Sequence, residues 1–226
     1  MKYKALLLDI DNTLYDYNIS HAYAKKSVVQ HCKTEFNIDE AIILSAYEKA
    51  RKKVHNELNE TAASHNRLLY FQNMCEMLTI NPIQQSLKLY NIYWDTFLEN
   101  ITPFGGVYEL LEKYQNKICL VTDLTAHIQY RKIEKLKLNK YCQSLVTSEE
   151  AGKDKPNPLM FKLALQKLNL KSSEVCMIGD NFKKDICGAN NLNIHTIWLN
   201  HERKKESYND STIKEAKTFK EVLDFV

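Results

Sequence analysis

The sequence predicts an α/β protein, a doubly wound parallel sheet interrupted by a four-helix insertion. Three observations lead there. Short apolar runs at 4–8, 117–121 and 174–178 have the composition of strands buried on both faces. Each run ends in a polar cluster, Asp9-Ile10-Asp11, Thr122-Asp123 and Gly179-Asp180 respectively. Helix-patterned segments separate most of the strands, whereas residues 17–99 carry almost no strand signal.

The first strand leads directly into Asp9 and Asp11. After a turn region the insertion reads as four helices, at 20–36, 39–58, 64–78 and 82–98. Asp39 and Ser64 are the expected N-caps, and Asn81-Pro82 marks the last helix start. Tyr23 and Tyr47, at helical spacing, are expected in the core. The second strand is followed by a helix at 126–138, with Ile128, Ile133 and Leu136 on one stripe. Further strands are expected at 145–147 and 196–199. A helix at 158–168 opens on Pro158 and turns Phe161, Leu165 and Leu168 inward. The chain is expected to close with a helix at 213–225. The alternating part, residues 1–16 and 101–226, thus forms a Rossmann-like core, and 17–100 a separate helical domain. The expected hinges are residues 15–18 and 103–106; the second holds two of the chain's five glycines. In such sheets ligands bind off the carboxyl ends of the strands, where all three polar clusters fall.

Composition excludes several classes. A net charge of +3, with 31 Lys+Arg interleaved among 28 Asp+Glu, provides no basic block for a nucleic-acid polymer. The six cysteines show neither Cys-x-x-Cys pairing nor zinc-ligand spacing, so they are expected as core residues. With no signal peptide and no apolar stretch of bilayer length, the expected location is the cytoplasm, without membrane attachment. Nothing in the sequence demands more than a monomer or weak homo-oligomer.

Two carboxylates at the end of a buried strand are costly unless neutralised. A divalent cation with oxygen ligands, commonly Mg²⁺, is the usual solution, placed where a phosphate can share it. Four motifs extend this reading: Asp9-Ile10-Asp11-Asn12-Thr13, Leu120-Val121-Thr122, Lys155-Pro156-Asn157-Pro158 and Gly179-Asp180 through Asp185. In this order and context the chain resembles the phosphatase branch of the haloacid dehalogenase superfamily, and the insertion resembles that family's C1-type cap.

The resemblance implies an aspartyl-phosphate mechanism. Asp9 is the candidate nucleophile and Asp11 the general acid/base, with Asp9 ionised and Asp11 poised to carry a proton. Thr122 and the backbone N–H of Asp123 would bind phosphate, with the acidic Asp123 side chain turned away. Lys155, favoured over Lys153 by the following proline, would bridge Asp9 and the phosphate. Asp9, Asp180 and, through its backbone carbonyl, Asp11 would hold Mg²⁺. Asp185 would act through a metal-bound water or by orienting Lys155. In the cap, His65, Asn66 and Arg67 are candidates for contacting the rest of a small phosphorylated metabolite, with a capping Ser64 and exposed first-turn residues as the alternative. A phosphomutase of the same superfamily and a catalytically silent phosphate-binding regulator remain open alternatives. A dehalogenase is disfavoured because it needs neither Asp11 nor the acidic metal site.

Overall fold

Six strands, β1 (Ala5–Leu8), β2 (Ile118–Thr122), β3 (Ser144–Thr147), β4 (Val175–Gly179), β5 (His195–Leu199) and β6 (Ile213–Ala216), build the sheet in the computed structural model. It describes residues 2–208 and 210–226. All strand pairs are parallel, in the order β3-β2-β1-β4-β5-β6. The order reverses beside β1, which lies between β2 and β4. Leu8 is in register with both Leu120 and Ile178, so the three central strands end side by side. Leu6, Leu7 and Leu8 are fully buried, and each stabilises the centre of the sheet by roughly 1.5–3 kcal/mol.

In chain order the helices are α1 (Tyr17–Phe36), α2 (Glu40–Glu57), α3 (Arg67–Met77), α4 (Pro82–Glu99), α5 (Val107–Lys113), α6 (Ala126–Lys135), α7 (Ser148–Ala151), α8 (Pro158–Leu168), α9 (Gly188–Asn190) and α10 (Phe219–Val222). A π-helical turn, Phe182–Cys187, leads into α9. On one sheet face Leu7, Val121 and Met177 pack with Met160 and Phe161 of α8.

The chain divides into two compact units, Met1–Asp16 with Thr102–Val226, and Tyr17–Ile101. In the first, Tyr15 bridges to Pro103, and the Phe104 N–H donates to the Leu14 carbonyl. In the second, α1 packs on α4, while α3 packs on α4 and α2. Its interior is aromatic: Tyr70, Phe71, Tyr93, Trp94 and Phe97 are buried.

Four local expectations are corrected. Residues 213–225 are not one helix: β6 extends the sheet beside β5, and only Phe219–Val222 is helical. Pairing Thr196 with Ile213 and Leu199 with Ala216 satisfies backbone groups that an open β5 edge would expose, which outweighs helix propensity. The third helix of the insertion begins at Arg67, because Asn66 accepts the Leu68 N–H while Ser64 is buried in a 3₁₀ turn, Ala62–His65. The helix after β2 stops at Lys135, and Lys137 turns left-handed at φ +55°. Tyr23 points outward at 52% exposure, whereas Tyr47 is buried as expected. Among the described residues, no helix is long and apolar enough to cross a membrane.

Candidate active site

Asp9 continues β1 by donating its N–H to the Ile178 carbonyl at 3.0 Å, which fixes the carboxylate at the sheet end. Only 5% of the residue is exposed. Its Oδ1 accepts from Lys155 Nζ at 2.6 Å, and its Oδ2 accepts from the Thr13 hydroxyl at 2.9 Å. The same Thr13 oxygen accepts the Asp180 N–H at 3.1 Å, tying the end of β1 to the end of β4.

Lys155 is buried and uses its ammonium three ways. It donates to Asp9 Oδ1 and Asp185 Oδ1, both at 2.6 Å, and to the Val121 carbonyl at 3.0 Å. Burial alone would depress its pKa, but Asp185 and Asp9 outweigh that and hold it well above the ordinary lysine value. Asp185 in turn accepts the Asn181 N–H at 3.0 Å, so the π-helical turn is closed around it.

Asp9, Asp180 and Asp185 each offer an oxygen within 4.8 Å of the others. Three carboxylates against one ammonium leave about two unbalanced negative charges when all are ionised, which suits a divalent cation with oxygen ligands. The protonation equilibria register the same imbalance. Burial, opposed by Lys155 but reinforced by Asp185, pushes Asp9 up to about 7. Burial together with Asp9 and Asp185 pushes Asp180 up to about 8. A cation held by this set would stabilise the ionised forms and reverse both shifts.

Asp11 lies in a different electrostatic environment. Burial raises its pKa, but Lys132, Tyr15 and Gln129 outweigh burial and lower it overall. Lys132 Nζ donates to both Asp11 oxygens at 2.7 Å, Tyr15 donates its hydroxyl to Oδ1, and Gln129 Nε2 lies 3.5 Å from Oδ2. In the protein alone Asp9 is thus shifted up and Asp11 down; the expected ionisation of Asp9 depends on the cation, which opposes the Asp9 shift. Asp9 shares its corner with two other acids, and Asp11 shares its own with a lysine.

Thr122 is buried, and its hydroxyl accepts from Gln129 Nε2 at 2.8 Å. The Asp123 side chain is fully engaged. Its Oδ1 accepts from the Lys155 backbone N–H at 2.9 Å and from Ser148 at 3.2 Å, and its Oδ2 accepts from Lys184 Nζ at 2.7 Å. Lys184 thus balances the Asp123 charge at the end of β2.

The structure brings Asp9, Asp11, Thr122, Asp123, Lys155, Asp180 and Asp185 together at one sheet edge of the α/β unit. His65, Asn66 and Arg67 belong to the helical unit. Asn66 spends its side-chain oxygen on the α3 cap. Arg67 is buried, donates to the His65 carbonyl and the Tyr17 hydroxyl, and lies 5.2–6.0 Å from the rings of Tyr17, Tyr70, Tyr93 and Trp94. The expectation of exposed first-turn residues therefore fails for Arg67, which sits among aromatic faces that suit a guanidinium. Sequence reasoning missed Lys132, Gln129 and Lys184. A signal existed for the first two: they fall on the Ile128–Ile133 stripe of α6, where polar residues interrupt an otherwise apolar face.

Comparison with known proteins identifies relatives of the whole chain. The family model described as haloacid dehalogenase-like hydrolase matches residues 6–199. The ribulose-1,5-bisphosphate 5-phosphatase of Halopiger xanaduensis is 34% identical over 208 residues, covering 90% of this chain and 87% of that protein. The pyrimidine 5'-nucleotidase YjjG of Escherichia coli is 28% identical, covering 91% and 90%. Among solved structures, the magnesium-bound HAD-hydrolase YfnB of Bacillus subtilis superposes with a TM-score of 0.75 over 100% of this chain and 99% of that one. At 19% identity that likeness shows the fold.

Proposed function

This chain belongs to the haloacid dehalogenase-like hydrolase family, and from that premise we propose that it is a Mg²⁺-dependent phosphomonoester hydrolase working through an aspartyl-phosphate. The observation that carries the reading is the Lys155 ammonium held between Asp9 and Asp185, with Asp180 in the same acidic group. Asp9, Asp180 and the Asp11 carbonyl are the groups that would hold Mg²⁺, with Asp185 in the same acidic group orienting Lys155. When bound, the cation supplies charge neutralisation that lets an anionic nucleophile approach an anionic phosphate.

The chain's own residues account for the rest. An Asp9 oxygen attacks phosphorus, and the bond from phosphorus to the leaving oxygen breaks with its electron pair on that oxygen. Asp11 acts in its protonated form, which Lys132 disfavours and makes a stronger acid, and gives that oxygen its proton, so the product leaves as a neutral alcohol. The Asp11 carboxylate then takes a proton from water as the water oxygen attacks phosphorus. The bond to Asp9 breaks, releasing inorganic phosphate and restoring the Asp9 carboxylate and the protonated Asp11. Lys155, Thr122 and the Asp123 N–H stabilise charge on the phosphoryl oxygens.

We assign substrate choice to the helical unit, with His65, Asn66 and Arg67 as the residues to vary first for a small phosphorylated metabolite. Bisphosphates and nucleotides, the substrates for which the relatives are named, are the first compounds to test. Six free cysteines support a reducing, cytoplasmic setting, with the protein a monomer or weak homo-oligomer.

The test is phosphate release from an aryl phosphate and a metabolite panel in Mg²⁺ and in Mn²⁺. Turnover that Asp9→Asn abolishes supports the reading. Isomerised product without free phosphate would make the protein a mutase, and silence across the panel would leave it a binding protein.

A further inference from the structure

Lys132 is fully buried, on a helix outside the residues that the proposed chemistry uses, and its ammonium meets an acid of the site. Both Asp11 oxygens lie 2.7 Å from its Nζ. A lysine taken wholly out of water is costly to place unless its charge is matched there. The match is the acid assigned to the leaving group.

The setting of α6 explains how Lys132 is aimed. One turn earlier, Gln129 is also fully buried and donates to Thr122 Oγ1 at 2.8 Å and to the Asp123 carbonyl at 2.7 Å. These bonds fix the rotation of α6 against the end of β2. At a spacing of three residues, Lys132 then lies on the same helical face. Tyr15 also donates its hydroxyl to Asp11, at Oδ1.

We propose that Lys132 is a positioning residue for Asp11, fixing both carboxylate oxygens so that one of them meets the leaving oxygen. This rests on the reading above, in which Asp11 protonates that oxygen. When the proton has moved, the negative charge left on Asp11 already has a donor on each oxygen, and no side chain need rearrange. Asp9 and Lys155 do the work on phosphorus; Lys132 acts on the reaction through Asp11.

The test uses two substrates of nearly equal shape, phenyl phosphate and 4-nitrophenyl phosphate. Phenol is the poorer leaving group and needs the proton more. The parameter is kcat/KM, which reports steps up to release of the phenol. Lys132→Met is expected to lower kcat/KM for phenyl phosphate at least 10-fold more than for 4-nitrophenyl phosphate, within the range that general acids contribute. Lys132→Arg, which keeps charge and a bidentate fork, is expected to recover most of that difference. Asp11→Asn should show the same leaving-group bias, and adding Lys132→Met to it should produce little further bias.

Equal losses on both substrates in Lys132→Met, alongside a biased Asp11→Asn, would overturn the role of Lys132 and leave that of Asp11 standing. No bias in Asp11→Asn would overturn the reading of Asp11 itself. Should Lys132→Met fail to fold, Lys132→Gln retains a donor without the charge, and the same comparison applies.

Discussion

Gly179 and Asp185 are so close that a Cβ on residue 179 would overlap the Asp185 carboxylate. Asp185 in turn stands 2.6 Å from Lys155 Nζ. The end of β4 must therefore lack a side chain for the buried lysine to keep its second acidic partner. Gly179→Ala is expected to displace Asp185 and lower kcat/KM about 100-fold, the scale of loss for misplacing a catalytic group by an ångström. Steady-state kinetics on an aryl phosphate checks this, and activity near wild type would show that Asp185 can move without consequence.

Thr13 joins two strand ends with one hydroxyl, donating to Asp9 and accepting from the Asp180 N–H. Thr13→Val keeps the shape but leaves that N–H without its acceptor, at a cost of about 1–3 kcal/mol. Urea denaturation should show the loss, and Thr13→Ser should restore most of it.

Asp9 and Asp180 have pKa values of about 7 and about 8 in the metal-free fold, far above those of carboxyls in an unfolded chain. Folded protein therefore binds more protons than unfolded protein between about pH 4 and 8, and these groups reduce stability as pH rises through that window. Mg²⁺ binds the ionised forms, so its stabilising effect should grow over the same range. Melting curves in Mg²⁺ and in EDTA are expected to diverge more at pH 8 than at pH 6. Asp180→Asn should shrink the difference; a shift that is large and independent of pH would exclude this acidic group as the cation site.

Lys184 and Asp123 form an ion pair of 2.7 Å that is partly open to solvent, with Lys184 34% exposed. Lys184→Met leaves an uncompensated acid beside the turn to which phosphate binding is assigned. The expected result is a rise in KM of about fivefold with kcat little changed, discounted for solvent screening. Asp123→Asn in the Lys184→Met background should reverse the rise, because it removes the repelling charge and keeps an acceptor for the Lys155 N–H.

The helical insertion, the main strands and the acids at their ends were legible because each signal lies within a few neighbouring residues. An apolar run followed by Asp9-Ile10-Asp11 reads the same wherever the chain later goes. Residues 213–225 misled for the opposite reason. Their helical pattern is local, but β6 is decided by the unpaired edge of β5. Likewise Asn66 and Ser64 are equally good caps on paper, and the burial of Ser64 leaves Asn66 as the one that caps α3.

The charges divide along the same line. That Asp9 and Asp11 need neutralising follows from composition alone, since a buried strand end cannot carry bare carboxylates. Which cations meet them does not follow. Lys155 lies 146 residues from Asp9, and Lys132 lies 121 from Asp11. Lys132 arrives only because Gln129 sets the rotation of α6 on the sheet. Desolvation makes a partner necessary for each acid, but distance through space selects it, and that distance exists only after the helices have packed.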